Sequence, residues 1–444
     1  TVGNGGKGWC LDIGCGDGKL AFEIVRQSEL MVIGVESDPV KVAAATAFLA
    51  ERGVLGSRVT ILPVANYNLA SLPFRPHTFN LITNAGSFSG PGLGGLAAYQ
   101  TLLKPTHGRS VSGPAASLAV ATKPRPAGFG NWSHQYGTPE NTTYSGEQLV
   151  GTVAPAGAAQ TTQTEIQWIG RPGGAFSIDR GIRQASPLAV NGRFFALGEQ
   201  RVIAMDSHNG SVLWSKLIPN LARFNVLRDC SNLAADDDAL FAATGAECWR
   251  INGDSGAHTV MKVTAPARQD ITWHWGFVCR QGTRLIGSAV SSEASYKKWW
   301  GPQFWYDSKS GSDTNIVCGD NMFSRDAATG AQHWLYQGGL ILHPTITVTA
   351  DRILFLESRA ATAMAGTARA LPMASLNTAG SLWMVALDPA TGTKLWETQP
   401  TITGGTPGIF GSFSNNVYLI TASNSTDSKY HLHAFNATTG AVLW

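Results

Sequence analysis

One hairpin occurs five times in the second half of this chain. RVIAMDSHNGSVLW (201–214), CWRINGDSGAHTV (248–260), MFSRDAATGAQHW (322–334), WMVALDPATGTKLW (383–396) and LHAFNATTGAVLW (432–444) align on one template. Each runs an apolar strand into an Asp or Asn, reverses over a turn ending in Gly, and leaves along a second short strand. Four of the five close on Trp: Trp214, Trp334, Trp396 and Trp444. The Asp or Asn side chain caps its own turn, and Gly supplies the positive φ of the reversal. The Trp adds a large apolar surface that packs between neighbouring sheets. Gly210, Gly256, Gly330, Gly392 and Gly440 lie 46, 74, 62 and 48 residues apart. A four-stranded unit of about 45 residues is a propeller blade, and the longer intervals read as blades carrying inserted loops. The pattern predicts an all-β propeller over 165–444 with at least five four-stranded blades, the last incomplete at Trp444. An open ring would expose a sheet edge, and poor solution behaviour is expected of it.

The first 115 residues follow another rule. WCLDIG (9–14), MVIGVES (31–37), VTILPV (59–64) and FNLITN (79–84) read as buried strands, with helical stretches at 19–27 and 39–52 between them. Alternating strand and helix implies a parallel, doubly wound α/β sheet of Rossmann type. Asp12-Ile13-Gly14-Cys15-Gly16-Asp17-Gly18 stands where a strand gives way to a helix. Glycines there bring the backbone close to a ligand and aim amide N–H groups at it. Residues 114–130 form a Pro/Ala/Gly-rich stretch, so the chain divides into 1–115, a linker and entry segment at 116–164, and 165–444.

Composition narrows the functions. Charged residues are only 14% of the chain and the net charge is +3, with no Lys/Arg cluster, which argues against a nucleic-acid partner. Fifty glycines and 14 tryptophans fit a turn-rich β protein. No apolar run is long enough for a membrane-spanning helix. Thr1 and Trp444 read as cut ends. Cys10, Cys15, Cys230, Cys248, Cys279 and Cys318 show no CxxC, CxxCH or adjacent pair. The last four are open to two readings, disulfides in an oxidising compartment or buried thiols. Asp236-Asp237-Asp238 falls between two strand-like runs and reads as a hairpin tip, and His431-x-His433 is a lone i,i+2 pair, so no metal site is expected.

The glycine motif, Glu36 at the end of the second strand, and Asp38-Pro39 resemble class I S-adenosylmethionine methyltransferases over about 110 residues. The resemblance implies that Asp12, Gly14, Gly16, Gly18, Glu36, Asp38 and Asn84 form the cofactor site, with Glu36 on the ribose hydroxyls. Ala65-Asn66 and Asn80 stand where that family places acids, LLKPTHG (102–108) resembles its Leu-x-Pro-Gly-Gly turn, and no NPPY-type motif follows. A truncated, degenerate domain is implied, with catalytic residues unassigned.

Residues 130–444 resemble propellers of the pyrroloquinoline-quinone dehydrogenase type through NWSHQYG (131–137), NTTYS (141–145) and the five turns. The joined order is similar to large planctomycete-type bacterial proteins, through KPRPAGFGNWSHQYG (123–137), EIQWIGRPGG (165–174) and GGLILHPTITV (338–348). Quinone and calcium are not expected, because the adjacent cysteines of the enzymes are missing and no carboxylate–Asn cluster is evident. Trp273-His274-Trp275 and Lys297-Lys298-Trp299-Trp300 with Trp305 and Tyr306 are candidate funnel linings, with blade packing as the other reading. The resemblances imply a binding or scaffold protein that presents a protein or carbohydrate site. The alternatives are a methyltransferase using the propeller to recognise substrate, and a quinoprotein dehydrogenase. Export to the periplasm or beyond is implied by the propeller, and a cytoplasmic location by the methyl donor.

Overall fold

The computed structural model describes residues 6–68, 72–85, 99–114, 116–148, 166–176, 185–221, 229–295, 315–378, 380–402, 408–424 and 429–444. The N-terminal part is built on β1 (Lys7–Ile13), α1 (Lys19–Gln27), β2 (Glu29–Glu36), α2 (Pro39–Glu51), β3 (Val59–Pro63), β4 (Leu81–Asn84), β5 (Arg109–Ser112) and β6 (Ala119–Thr122). The sheet order is β3-β2-β1-β4-β5-β6, parallel except for the antiparallel β5–β6 pair. Helix α2 starts at Asp38, whose carboxylate accepts the Val40 N–H (2.9 Å), with Pro39 in the first turn, where a missing N–H costs nothing. The order reverses between β1 and β4, and ligands of such sheets sit beyond the strand ends at that point. Strand β6 lies inside the segment read as linker, and its outer position explains why residues 119–122 carry no buried-strand pattern.

The rest of the chain is β-rich. Three four-stranded antiparallel sheets come first, the first two of consecutive strands and the third passing over Ile316–Gly319. The first holds β7 (Leu188–Val190), β8 (Arg193–Gly198), β9 (Arg201–Asp206) and β10 (Val212–Leu217). The second holds β11 (Leu233–Ala235), β12 (Ala239–Thr244), β13 (Glu247–Asn252) and β14 (His258–Lys262). The third runs from Trp273–Gln281 through Arg284–Ser291 and Met322–Asp326 to Gln332–Tyr336. A fourth sheet joins Leu340–Leu342, Ile353–Ser358, Leu382–Leu387 and Lys394–Thr398, and gains Ile316–Gly319 and Ala370–Leu371 at the Leu340–Leu342 edge. The last has Gly408–Ser414, Val417–Asn424 and Lys429–Asn436, with Val442 bridged to Phe435 where a fourth strand would begin.

Each repeat hairpin has the expected turn. Asn252 Oδ1 accepts the Asp254 and Ser255 N–H groups, and Asp326, Asp388 and Asn436 do the same two and three residues on. The tryptophans then tie one sheet to the next. A Cβ on Gly256 would lie 2.9 Å from Trp214, one on Gly392 2.5 Å from Trp334, and one on Gly440 2.8 Å from Trp396. Each indole N–H donates to a carbonyl of that same neighbouring turn: Gly253, Pro389 and Ala437. The series begins one step earlier than the repeats, because Trp168 packs on Gly210 and donates to the Ser207 carbonyl (3.0 Å). The second repeat lacks its Trp, and Met261 takes the place, 3.2 Å from a Cβ on Gly330. Gly392, at φ 70°, would suffer both strain and collision from any side chain.

Truncating Trp334→Ala is therefore expected to cost about 3–5 kcal/mol of unfolding free energy, read from denaturant titration. Trp444→Ala, at a position 67% exposed, should stay within about 0.5 kcal/mol. Equal costs at the two positions would contradict this inter-sheet role for the indole.

Candidate functional site

After β1 the chain turns through Gly14, Gly16 and Gly18 at φ 66°, 58° and 80°, which no branched residue adopts cheaply. The Gly14 and Cys15 N–H groups donate to the Val35 carbonyl, pinning the turn to the end of β2. A Cβ at Gly16 would meet nothing within 4 Å, and one at Gly14 only the Tyr67 phenol at 3.8 Å. The backbone there is open to a ligand. Gly18 instead faces α2, where a Cβ would lie 3.1 Å from Leu49 and 3.3 Å from Ala45.

Glu36 is buried beside this turn. One carboxylate oxygen accepts the Gly16 N–H (2.9 Å), and the other accepts Ser37 N–H (2.9 Å), Asp38 N–H (3.0 Å) and the Tyr67 hydroxyl (2.7 Å). Burial pushes its pKa up, but these four donors outweigh burial and hold it below the ordinary range. Tyr67 is positioned in turn by Tyr99, whose hydroxyl donates to the Tyr67 carbonyl (2.7 Å). Asp12 accepts the Thr83 hydroxyl (3.1 Å) through one oxygen, and its other oxygen is buried with no hydrogen bond among the described residues. Burial raises its pKa to about 7, the Thr83 bond opposing and the Glu36 charge adding. Asp38 caps α2 through its carboxylate. Asn84 is buried at the end of β4, where its carbonyl accepts the Gly113 N–H (3.3 Å). The fold thus brings Gly14, Gly16, Glu36 and Asp12 together, with Tyr67 and Thr83 as partners that the sequence reading missed.

Asn80 and Lys104 have another use. Lys104 Nζ lies 2.5 Å from Asp206 Oδ2, and Asn80 Nδ2 donates to the same oxygen (3.0 Å). Asp206 is the turn acid of the first repeat, and its Oδ1 still accepts the His208 N–H (3.0 Å). Asn209 donates to the Asn80 amide oxygen (2.7 Å) and the Thr78 carbonyl (2.9 Å), and Lys7 to the Leu213 carbonyl (2.7 Å). Burial alone would raise the Asp206 pKa, yet the Lys104 charge and hydrogen bond hold it below its usual range. Burial drops His208 to about 4.

The other candidates resolve one by one. All six cysteines are buried, and none forms a disulfide with another. Asp236 closes the β11–β12 hairpin through the Asp238 and Ala239 N–H groups and pairs with Arg280 (2.6 Å), as a hairpin tip does. Trp273 and Trp275 are buried, the latter edge-on to Phe323 at 5.0 Å, so they pack sheets. Residues 297–300, 305 and 306 lie outside the described residues. His431 and His433 sit on Lys429–Asn436, paired with Val417–Asn424.

Residues 10–105 match the family model described as "Methyltransferase domain". No curated protein matches the chain. Among solved structures it is similar to the 4+2 cyclase SpnF (29% identity, TM-score 0.21), over 24% of this chain and 38% of that one. It is also similar to geranyl diphosphate C-methyltransferase of Streptomyces coelicolor A3(2) (21%, TM-score 0.21), over 24% and 40%. Quinohemoprotein alcohol dehydrogenase ADHIIG of Pseudomonas putida HK5 (14%, TM-score 0.43) is matched over 71% and 47%. The chain therefore spans less than half the length of each of these. Its N-terminal part is a methyltransferase-type α/β domain. That domain is fused to a β-rich part of successive antiparallel sheets. Among the described residues, no helix is long and apolar enough to cross a membrane.

A folded pKa of about 7 for Asp12, against about 3.9 unfolded, makes its contribution favourable in acid and lost as pH rises between the two values. Asp12→Asn removes that loss. The melting temperature of Asp12→Asn minus that of wild type should rise from pH 4 to pH 7 and level off above it. A difference that is flat across this range would contradict the buried, proton-bearing carboxyl.

Proposed function

We propose that this chain is a binding or scaffold protein: a propeller of four-stranded blades carrying a methyltransferase-type domain that holds a ligand without transferring a methyl group. The division is taken near residue 115, with the entry segment at 116–164 and the repeats over 165–444. The observation that carries the reading is the state of Glu36. The acid that would accept ribose hydroxyls is already satisfied by three backbone N–H groups and the Tyr67 phenol. The open turn at Gly14 and Gly16 fits an adenosine ligand such as S-adenosylmethionine, provided the phenol gives way. When bound, that cofactor would supply an electrophilic methyl group. Glu36 and the turn would only bind and orient it. The repeat surface is proposed to take a protein or carbohydrate ligand. A location outside the cytoplasm, proposed from the propeller resemblance, suits the same reading, since the methyl donor is made in the cytoplasm.

The test is calorimetric titration of the full chain with S-adenosylmethionine and S-adenosylhomocysteine. Tyr67→Phe should bind both more tightly than wild type, because it frees one acceptor of Glu36. Glu36→Ala should lose about 1.5–3 kcal/mol relative to Tyr67→Phe, the worth of hydrogen bonds to a charged group. Tight wild-type binding unchanged by either substitution would overturn the assignment of Glu36.

A further inference from the structure

We propose that Asp229, Cys230 and His343 form a binding site for a borderline-soft divalent cation, zinc foremost, within the repeat part. Asp229 and Cys230 stand just before β11, and His343 follows Leu340–Leu342, so the site joins two different sheets. A carboxylate oxygen, a thiol sulfur and an imidazole nitrogen lie within 4.8 Å of one another. All three residues are buried, at 2%, 8% and 1% exposure. Bonds of about 2.0–2.3 Å in a tetrahedral zinc site set donors roughly 3.3–3.8 Å apart, so only small side-chain rotations separate this cluster from a ligand set.

Two further features support it. First, the histidine is held as a ligating histidine is. His343 Nε2 lies 2.9 Å from Ser288 Oγ, which itself accepts the Phe277 N–H (2.9 Å). An Nε2–H donated to that hydroxyl leaves Nδ1, 3.3 Å from Asp229 Oδ1, as the atom with the lone pair. The ring packs over Gly276 and Gly319, where a Cβ would come within 2.7 or 2.9 Å of it. Second, the three residues line one cavity with about 30 Å³ accessible to water. That is space for about one water in a fourth position. Three protein ligands and an open fourth position is the pattern of zinc sites that bind or activate a small molecule. Calcium and magnesium, which take oxygen donors, do not suit a thiolate and an imidazole. Binding converts the Cys230 thiol to thiolate and releases that proton to solvent.

The full chain, stripped with a chelator and dialysed, is titrated with cobalt(II) as the probe and then with zinc(II). One equivalent of cobalt should bind, give a thiolate-to-cobalt charge-transfer band, and be displaced by zinc. Cys230→Ser should lose that band and bind zinc at least tenfold more weakly. Cys279→Ser, on another wall of the same cavity, should keep both. Melting of each variant in chelator establishes that the folds compared are intact. No bound cobalt or zinc on folded wild type would overturn the proposal and leave His343 simply donating Nδ1–H to Asp229. A charge-transfer band that survives Cys230→Ser, or is lost in Cys279→Ser, would overturn it equally.

Discussion

Asp206 has two neighbourhoods at once. Its Oδ1 caps the turn of the first repeat, as the equivalent Asp or Asn does in the others, while Oδ2 receives Lys104 and Asn80 from the methyltransferase-type domain. Both charged side chains are almost wholly buried, at 0% and 2% exposure. Removing two charges from water is expensive, and such a pair is tolerated only when every remaining hydrogen bond is made. Here the carboxylate is bound on both oxygens, so the two parts meet through a buried pair whose hydrogen bonds are made from both sides. Asn80, an apparent departure from the family pattern, is what the contact needs. An acid there would set a second negative charge against Asp206.

From that anchor the repeat part propagates by one device. Trp214, Trp334 and Trp396 each lie under the glycine turn of the next sheet and donate the indole N–H there, so these sheets are placed by their predecessors. Apolar burial supplies the energy and the indole hydrogen bond supplies the direction. Met261 shows how much of this depends on shape. It fills the position beneath Gly330 but makes no indole bond. The packing that results brings Asp229, Cys230 and His343 to one cavity, although Cys230 and His343 are 113 residues apart in sequence.

The local chemistry was legible where one segment determines its own geometry. The five turns and the glycine turn after β1 depend on near neighbours and have the geometry read for them, whereas Asp38, expected at the cofactor site, is seen capping α2. Strand β6 was hidden because an exposed antiparallel edge strand leaves no buried run. The site's partners were hidden for another reason. Tyr67 and Thr83 reach Glu36 and Asp12 only through tertiary approach, and attention to the missing acid at Ala65-Asn66 passed over the phenol two residues on. The six cysteines, open between disulfides and thiols in sequence, are buried and form no disulfide with one another. Lys104 sits in a turn whose family resemblance gave no hint that its ammonium crosses to another domain.

The central claim is that the two parts form one cooperative unit through Lys104 and Asp206. Differential scanning calorimetry of wild type and of Lys104→Ala tests it most directly. The account predicts a single transition for wild type. For Lys104→Ala it predicts two, the lower one belonging to the N-terminal domain, with a loss of about 3–5 kcal/mol from the unpaired buried Asp206. Two independent transitions already present in wild type, and unmoved by the substitution, would contradict it.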